Sequence, residues 1–100
     1  MSSVRVALPA HLRSLAGIGS EVVVEVAGAP TIGSLLDALE AAHPALAGTI
    51  RAHAAGPRRA YMRYHACGED LSFAPDDAPL PEAVARGEAP FTVIGAIAGG

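Results

Sequence analysis

Lysine and tryptophan are absent from this 100-residue chain, and cysteine occurs only once, at Cys67. Without lysine, no side chain of the chain offers an amine for a Schiff base or an isopeptide bond. A single cysteine excludes an intramolecular disulfide, which suits a reducing compartment. The basic side chains are all arginine, a bias that a GC-rich genome also produces; they are Arg5, Arg13, Arg51, Arg58, Arg59, Arg63 and Arg86.

Strong charge and long apolar runs are also lacking. The formal net charge is −3, so the chain has no broad positive field of the kind that attracts nucleic acid. The longest weakly polar stretch, residues 89–100, is too short to cross a bilayer. The first residues show no charged and then apolar leader pattern, which predicts no signal peptide. We therefore expect a cytoplasmic protein that binds neither nucleic acid nor membrane.

The first half of the chain predicts two strands and one helix. Apolar residues alternate over 4–8 and over 21–26, which is typical of half-buried strands. Thr31 is a suitable N-cap for a helix, and Pro44 ends that helix by restricting the residue before it. One apolar stripe follows the helical period, formed by Ile32, Leu35, Leu36 and Leu39. The connector between the strands has no assigned structure, and Leu46 and Ile50 are expected to anchor a short helix or turn.

The second half predicts two further strands, over Tyr61–Cys67 and Phe91–Ala96, separated by a turn at 68–70 and a proline-rich loop at 72–81. The order strand, strand, helix, strand, strand contains no helix between the last two strands. It therefore predicts an α+β domain, with one main helix packed across a mixed sheet. We place the domain at residues 1–96 and a flexible tail at 97–100.

This order and the end of the chain resemble the ubiquitin-like β-grasp fold. Within that fold the chain is similar to the sulfur-carrier family, which includes the small subunit of molybdopterin synthase and the thiamine sulfur carrier. The matching segments are Val4–Val6, Leu12 with Leu15–Gly17, Pro30–Gly33, Leu35–Leu36 with Leu39, His43–Leu46 and Gly95–Gly100. Two segments depart from the pattern. Cys67-Gly68 stands where the family often has Asn-Gly, and Ala85–Pro90 replaces an acidic turn.

The resemblance implies a carrier protein that is not itself an enzyme and binds no cofactor. A ubiquitin-activating type of enzyme would adenylate the carboxylate of Gly100 with ATP, and sulfur transfer would then give a thiocarboxylate. A sulfur-accepting synthase would use it in cofactor or sulfur-metabolite biosynthesis. In the molybdopterin branch, the tail would enter the large subunit of the synthase. Ile97, Ala98 and Gly99 would be needed for access to the partner's site.

A glycine-ended tail suits this chemistry for physical reasons. A carboxylate becomes a good electrophile only after activation, so the enzyme must enclose carboxylate, ATP and sulfur donor together. Glycine has no Cβ and adopts backbone angles that a narrow channel demands. Six extended residues, 95–100, reach about 20 Å, which places the carboxylate in a cleft while the body stays outside. A chance Gly-Gly end has a frequency of about 0.5%.

Two other function classes stay open. The chain is alternatively a protein modifier joined through Gly100 to lysines of other proteins, or a small binding domain whose tail is inert. One face of a predicted strand is a candidate partner surface, because every second residue points to the same side. It carries Arg63, His65 and Cys67. We predict no metal site, because a site needs three or four ligands and the spacing gathers none. Cys67 has no evident activating base, so it is not expected to act as a nucleophile.

Overall fold

The computed structural model describes residues 1–95, and residues 96–100 lie outside the described part. Five strands form one sheet: β1 (Ser2–Ala7), β2 (Glu21–Val26), β3 (Met62–Ala66), β4 (Glu69–Asp70) and β5 (Phe91–Gly95). Their order across the sheet is β2-β1-β5-β3-β4. β1 and β5 are parallel, whereas the other neighbours are antiparallel. The mixed sheet confirms the predicted α+β, β-grasp architecture.

The segments between the strands contain the helices. These are α1 (Ala10–Ala16), α2 (Ile32–Ala42), a 3-10 helix (Pro44–Leu46) and α3 (Glu82–Ala85). The core lies between α2 and one face of the sheet. It is built almost entirely from aliphatic side chains, as the composition predicts, with Tyr64 and Phe91 as its aromatic members; their ring centroids are 5.3 Å apart.

The main helix α2 forms as its sequence predicts. Thr31 and Ser34 make a reciprocal capping box, in which the Ser34 N–H donates to Thr31 Oγ1 at 3.1 Å and the Thr31 N–H donates to Ser34 Oγ at 2.8 Å. The helix ends at Ala42, before His43 and Pro44. All members of the predicted apolar stripe are at most 1% exposed; they are Ile32, Leu35, Leu36 and Leu39.

The connector between β1 and β2 contains the helix α1, for which the sequence analysis assigned no structure. Leu12 is the only buried residue of α1, and Leu15 is 55% exposed. The helix therefore has no apolar stripe that periodicity could detect. It ends at Gly17, which adopts a left-handed conformation (φ 68°) and donates its N–H to the Arg13 carbonyl.

The second half of the chain differs from the sequence analysis at β3, β4 and α3. β3 spans Met62–Ala66 rather than Tyr61–Cys67. It ends before Cys67 because Cys67 (φ 53°) and Gly68 (φ 77°) form the two central residues of a tight turn. Positive φ at both central positions is the hairpin geometry. Glu69 and Asp70 then pair with β3 as the short strand β4, not as part of a turn. One helical turn, α3, follows the proline-rich loop in a stretch to which the sequence analysis assigned no structure, and its one buried residue is Val84.

A buried ion cluster joins α2 to the segment that follows it. Arg51 is 2% exposed and donates from Nε and Nη2 to the two carboxylate oxygens of Glu40, at 2.9 and 3.1 Å. Its Nη2 also donates to Asp37. A charge is tolerated inside a protein when it is paired in this way. Arg51 thereby fixes the segment before β3 against the polar side of α2.

Candidate functional site

The last strand runs through the middle of the sheet. β5 is parallel to β1, with Val6 opposite Phe91, and antiparallel to β3, with Met62 opposite Gly95. Phe91 and Val93 point into the core and are at most 2% exposed, whereas Ile94 is 43% exposed on the other face. Pairing on both sides anchors β5, so Gly95, the last described residue, has a fixed place beside the start of β3. We call this place the exit point.

The exit point lies close to a side chain of α1. A Cβ placed on Gly95 would lie 2.7 Å from Cε1 of His11 and 3.6 Å from the Met62 sulfur. The first of these distances is too short for two carbon atoms, so the exposed His11 side chain would have to move if Gly95 carried a Cβ. His11 reaches this position because it lies on α1, a helix that the sequence pattern did not reveal. The imidazole of His11 is therefore a neighbour of the exit point that sequence reasoning missed.

The residues on which the sequence-based function depends lie beyond the exit point. Ile97, Ala98, Gly99 and Gly100 are outside the described residues, as is the predicted boundary between domain and tail. Their roles stay predictions. The described residues fix where this segment begins.

Arg63 and His65 lie on the open face of the sheet, opposite the face that α2 covers. Met62, Tyr64 and Ala66 alternate with them and are buried. In the β3–β5 ladder, Arg63 stands opposite Ile94 and His65 stands opposite Thr92. The two predicted surface residues therefore share one face, and Arg63 is the nearer of them to the exit point.

Cys67 does not join these two residues. Its thiol is exposed in the turn between β3 and β4, at the end of β3 remote from Gly95. Four residue steps along β3, from Met62 to Ala66, separate the exit point from this turn by roughly 13 Å. Within residues 1–95, no group of three or more His, Cys, Asp or Glu side chains is arranged to hold a metal ion.

An exposed aromatic residue with two cationic neighbours lies beside Arg63. Phe73 is 78% exposed. The guanidinium carbons of Arg58 and Arg63 lie 5.0 and 5.2 Å from the centroid of its ring, within the range of cation–π attraction. The sequence pattern gave no signal for this contact, because Phe73 sits in a loop ten residues after Arg63. We call these three residues the Arg58–Phe73–Arg63 cluster.

The arginines of the cluster differ from most others in their partners. Arg5 pairs with Glu21 at 2.9 Å, Arg51 with Glu40, and Arg86 with Glu82. Among residues 1–95, Arg58 and Arg63 form no ion pair. Arg63 acts on Asp70 at longer range: the pKa of Asp70 is lowered chiefly by hydrogen bonding from Ser72 and further by the positive charges of His65 and Arg63.

Comparisons with known proteins complete this picture. No protein-family model matches the sequence, and no curated protein matches it. None of the helices described in residues 1–95 is long and apolar enough to cross a membrane.

Several solved structures share the fold over nearly the whole chain. The crystal structure of SAMP1 from Haloferax volcanii is 28% identical, with a TM-score of 0.74; the match covers 98% of this chain and 99% of that one. A chain of the BexX/CysO complex from Amycolatopsis orientalis is 23% identical, with a TM-score of 0.72 and coverage of 97% and 99%. The solution structure of small archaeal modifier protein 1 from Methanosarcina acetivorans is 20% identical, with a TM-score of 0.69 and coverage of 100% and 98%.

The likeness to the Haloferax volcanii protein extends to both the fold and more than a quarter of the residues. The two less identical structures support the fold alone. These neighbours are small proteins of about the same length as this chain, and two of them bear the name small archaeal modifier protein 1, abbreviated SAMP1. The chain therefore has the β-grasp fold, and its structural neighbours support a protein of the ubiquitin-like sulfur-carrier and modifier kind.

Proposed function

We propose that this protein is a sulfur carrier whose working group is the carboxylate of Gly100. A partner enzyme of the ubiquitin-activating type adenylates that carboxylate, and sulfur transfer converts it to a thiocarboxylate. The observation that carries the proposal is the position of β5. The central strand of a carrier-like body ends at Gly95, and the five residues that follow end in Gly-Gly.

The chemistry divides into two steps. A carboxylate oxygen of Gly100 attacks the α-phosphorus of ATP, so that pyrophosphate leaves and an acyl adenylate forms. A sulfide from a donor then attacks the acyl carbon, the carbon–oxygen bond to AMP breaks, and loss of a proton leaves the thiocarboxylate. The carrier contributes the acyl group and its placement, and the partner contributes the catalytic groups. Orientation of this kind accelerates a reaction strongly, and a displacement near 1 Å costs about a hundredfold.

The open face beside β5 is the surface that we assign to partner recognition. Arg63 and His65 project from it next to the strand that leads to the tail. A partner that covers this face receives the tail in a fixed direction. Cys67 lies at the far end of β3, so in this proposal it belongs to the rim of the surface.

The protein would act in the cytoplasm and deliver sulfur to a synthase of cofactor or sulfur-metabolite biosynthesis. The molybdopterin pathway is one such destination. In that branch, the tail would enter the large subunit of the synthase. Deleting Gly99 and Gly100 then abolishes sulfur delivery, whereas a binding domain with an inert tail keeps its behaviour.

A second candidate function is protein modification through Gly100. The 28% identity to a structure named as a modifier supports it. In that case Gly100 forms amide bonds with lysines of other proteins. Covalent adducts isolated from cells, with Gly100 joined to a lysine of the target, distinguish the modifier from a carrier that ends in a free thiocarboxylate.

The direct test is mass spectrometry of the intact chain after incubation with the activating enzyme, ATP and sulfide. The carrier proposal predicts that one terminal oxygen is exchanged for sulfur, and that the exchange requires ATP. If the adenylated chain never forms a thiocarboxylate but becomes joined through Gly100 to other proteins, the protein is a modifier and not a sulfur carrier.

A further inference from the structure

Phe73 is more exposed than any other aromatic side chain in residues 1–95, yet its loop holds it in a defined place. Ser72, the residue before it, is 6% exposed. The Ser72 hydroxyl accepts from the Tyr64 N–H at 2.9 Å, and its N–H donates to Asp70 at 2.9 Å. Because Ser72 is buried and held by two hydrogen bonds, the neighbouring Phe73 ring is kept on the surface and does not pack into the core.

Arg58 is held in place by the backbone. Its Nε donates to the Ser72 carbonyl at 2.8 Å, and its Nη1 donates to the Met62 and Arg59 carbonyls at 2.7 and 3.2 Å. These bonds orient the guanidinium beside Phe73 and leave Nη2 without an acceptor among the described residues. Because the side chain is already ordered, a partner that binds it loses little additional conformational freedom.

All the guanidinium N–H groups of Arg63 are available to a binding partner. Within residues 1–95 its guanidinium forms no hydrogen bond and no ion pair, and it rests near the ring of Phe73. An arginine in this state presents a planar fork that matches a carboxylate with two parallel hydrogen bonds. Carboxylates already neutralise Arg5, Arg51 and Arg86, whereas Arg63 offers its charge outward.

The cluster lies at the exit point of the tail. Arg63 stands opposite Ile94, the residue before Gly95, and Ile94 is 43% exposed. Tyr61, two residues before Arg63, is 50% exposed. Exposed aromatic and aliphatic surface mixed with arginine is the composition that dominates binding energy at protein interfaces.

We infer that the Arg58–Phe73–Arg63 cluster docks an acidic segment of the activating enzyme, one in which carboxylates alternate with apolar side chains. The inference rests on the proposed function and adds the chemistry of the partner surface. Carboxylates of the segment meet Arg63 and the free Nη2 of Arg58, and its apolar side chains cover Phe73 and Ile94. Asp70 stands opposite His65 on β4, and its negative charge should repel the acidic segment there, which favours docking on the side nearer the exit point.

A kinetic comparison tests the inference with the full chain. The Arg63→Gln and Phe73→Ala variants should each raise the KM for the carrier about tenfold in adenylation, with kcat within about twofold of wild type. Arg86→Gln is the matched control, since Arg86 is exposed and directly follows α3, outside the Arg58–Phe73–Arg63 cluster; the KM of this variant should not change. The rise in KM caused by Arg63→Gln should shrink at high salt. Equal KM values for Arg63→Gln, Arg86→Gln and wild type at low salt would overturn the inference.

A binding experiment separates this inference from the proposed function. The isotope-labelled chain is titrated with a short peptide that alternates glutamate and leucine, with its glutamine counterpart, and with a single-stranded oligonucleotide. Amide shifts concentrated at residues 58, 63 and 73, caused by the acidic peptide alone and lost in Arg63→Gln, support the docking site even if no enzyme adenylates the chain. Shifts spread evenly over all arginines, or equal responses to the glutamine peptide or the oligonucleotide, contradict it even if the chain is adenylated.

Discussion

Arg51 donates two hydrogen bonds to the carboxylate of Glu40, at 2.9 and 3.1 Å, although the two residues are 11 positions apart. The guanidinium is almost fully buried, and the Glu40 side chain is 18% exposed. Asp37, the second partner of Arg51, is 64% exposed. Glu40, the more buried of the two carboxylates, therefore contributes more than Asp37 to neutralising the buried charge of Arg51.

We expect Glu40→Gln to destabilise the fold more than Asp37→Asn. Removing a buried partner costs about 3–5 kcal/mol when the remaining charge has no other partner. Asp37 still pairs with Arg51 in the Glu40 variant, so the loss should fall somewhat below that range. The exposed pair lost in Asp37→Asn should cost about 1 kcal/mol or less. Denaturant unfolding of both variants measures the difference, and equal losses would show that burial does not govern this cluster.

The core prediction concerns Leu39, which is fully buried on α2. Leu39→Ala removes apolar contacts and leaves a cavity, so it should reduce the free energy of unfolding by about 2–5 kcal/mol. Leu15→Ala is the control, since Leu15 lies on a helix but is 55% exposed. Its loss should stay under about 0.5 kcal/mol. A small loss for Leu39→Ala would mean that α2 does not seal the core.

A third prediction concerns alkaline pH. Burial raises the pKa of Tyr64 from 10.0 to about 12, because the phenolate is poorly solvated in the core. The neutral phenol is therefore favoured in the folded state, and its contribution to stability is complete below pH 10. That contribution is lost as the pH rises from 10 towards 12. Stability measured over this range should fall less in Tyr64→Phe than in wild type, and parallel curves would contradict the assignment.

Short-range patterns were enough to predict much of the fold. Thr31, the Leu35–Leu39 stripe and Pro44 define α2 through interactions between residues close in sequence. The alternation around Val4 and Val24 likewise places two strands correctly. These features follow from local geometry, which a single sequence carries.

Features that depend on tertiary contacts were not predictable from the sequence. α1 buries only Leu12, and α3 is a single turn, so neither has a measurable period. The contacts of Arg51 with α2 and of Phe73 with Arg63 join residues whose proximity arises only after the sheet has formed. Cys67 was misplaced by one position, because the turn geometry ends β3 at Ala66.

The absence of lysine leads to a fourth prediction. If Gly100 is activated, the chain offers no side-chain amine to another copy of itself. Incubation with its activating enzyme and ATP should therefore produce no ladder of self-conjugates linked through side chains. Peptide mapping after proteolysis checks this result, and any isopeptide link between two copies through a side-chain amine would refute it. Introducing Arg86→Lys provides the control, since it adds one exposed amine.

The proposed function depends on the position of the Gly100 carboxylate relative to the domain. Two changes alter that position and leave residues 1–95 unchanged. One residue added after Gly100 moves the reacting carbon by roughly 3.5 Å. Gly99→Val leaves the length unchanged but restricts the backbone with a β-branched side chain. Both variants should keep the melting temperature of the wild type, because the described core ends with β5.

The most direct measurement is the intact mass of each form after incubation with the activating enzyme, ATP and sulfide. The account predicts that wild type exchanges one terminal oxygen for sulfur, while the extended and Gly99→Val forms do not, with unchanged melting curves. Exchange in the extended form, at the wild-type rate and without prior trimming back to Gly100, would contradict the account.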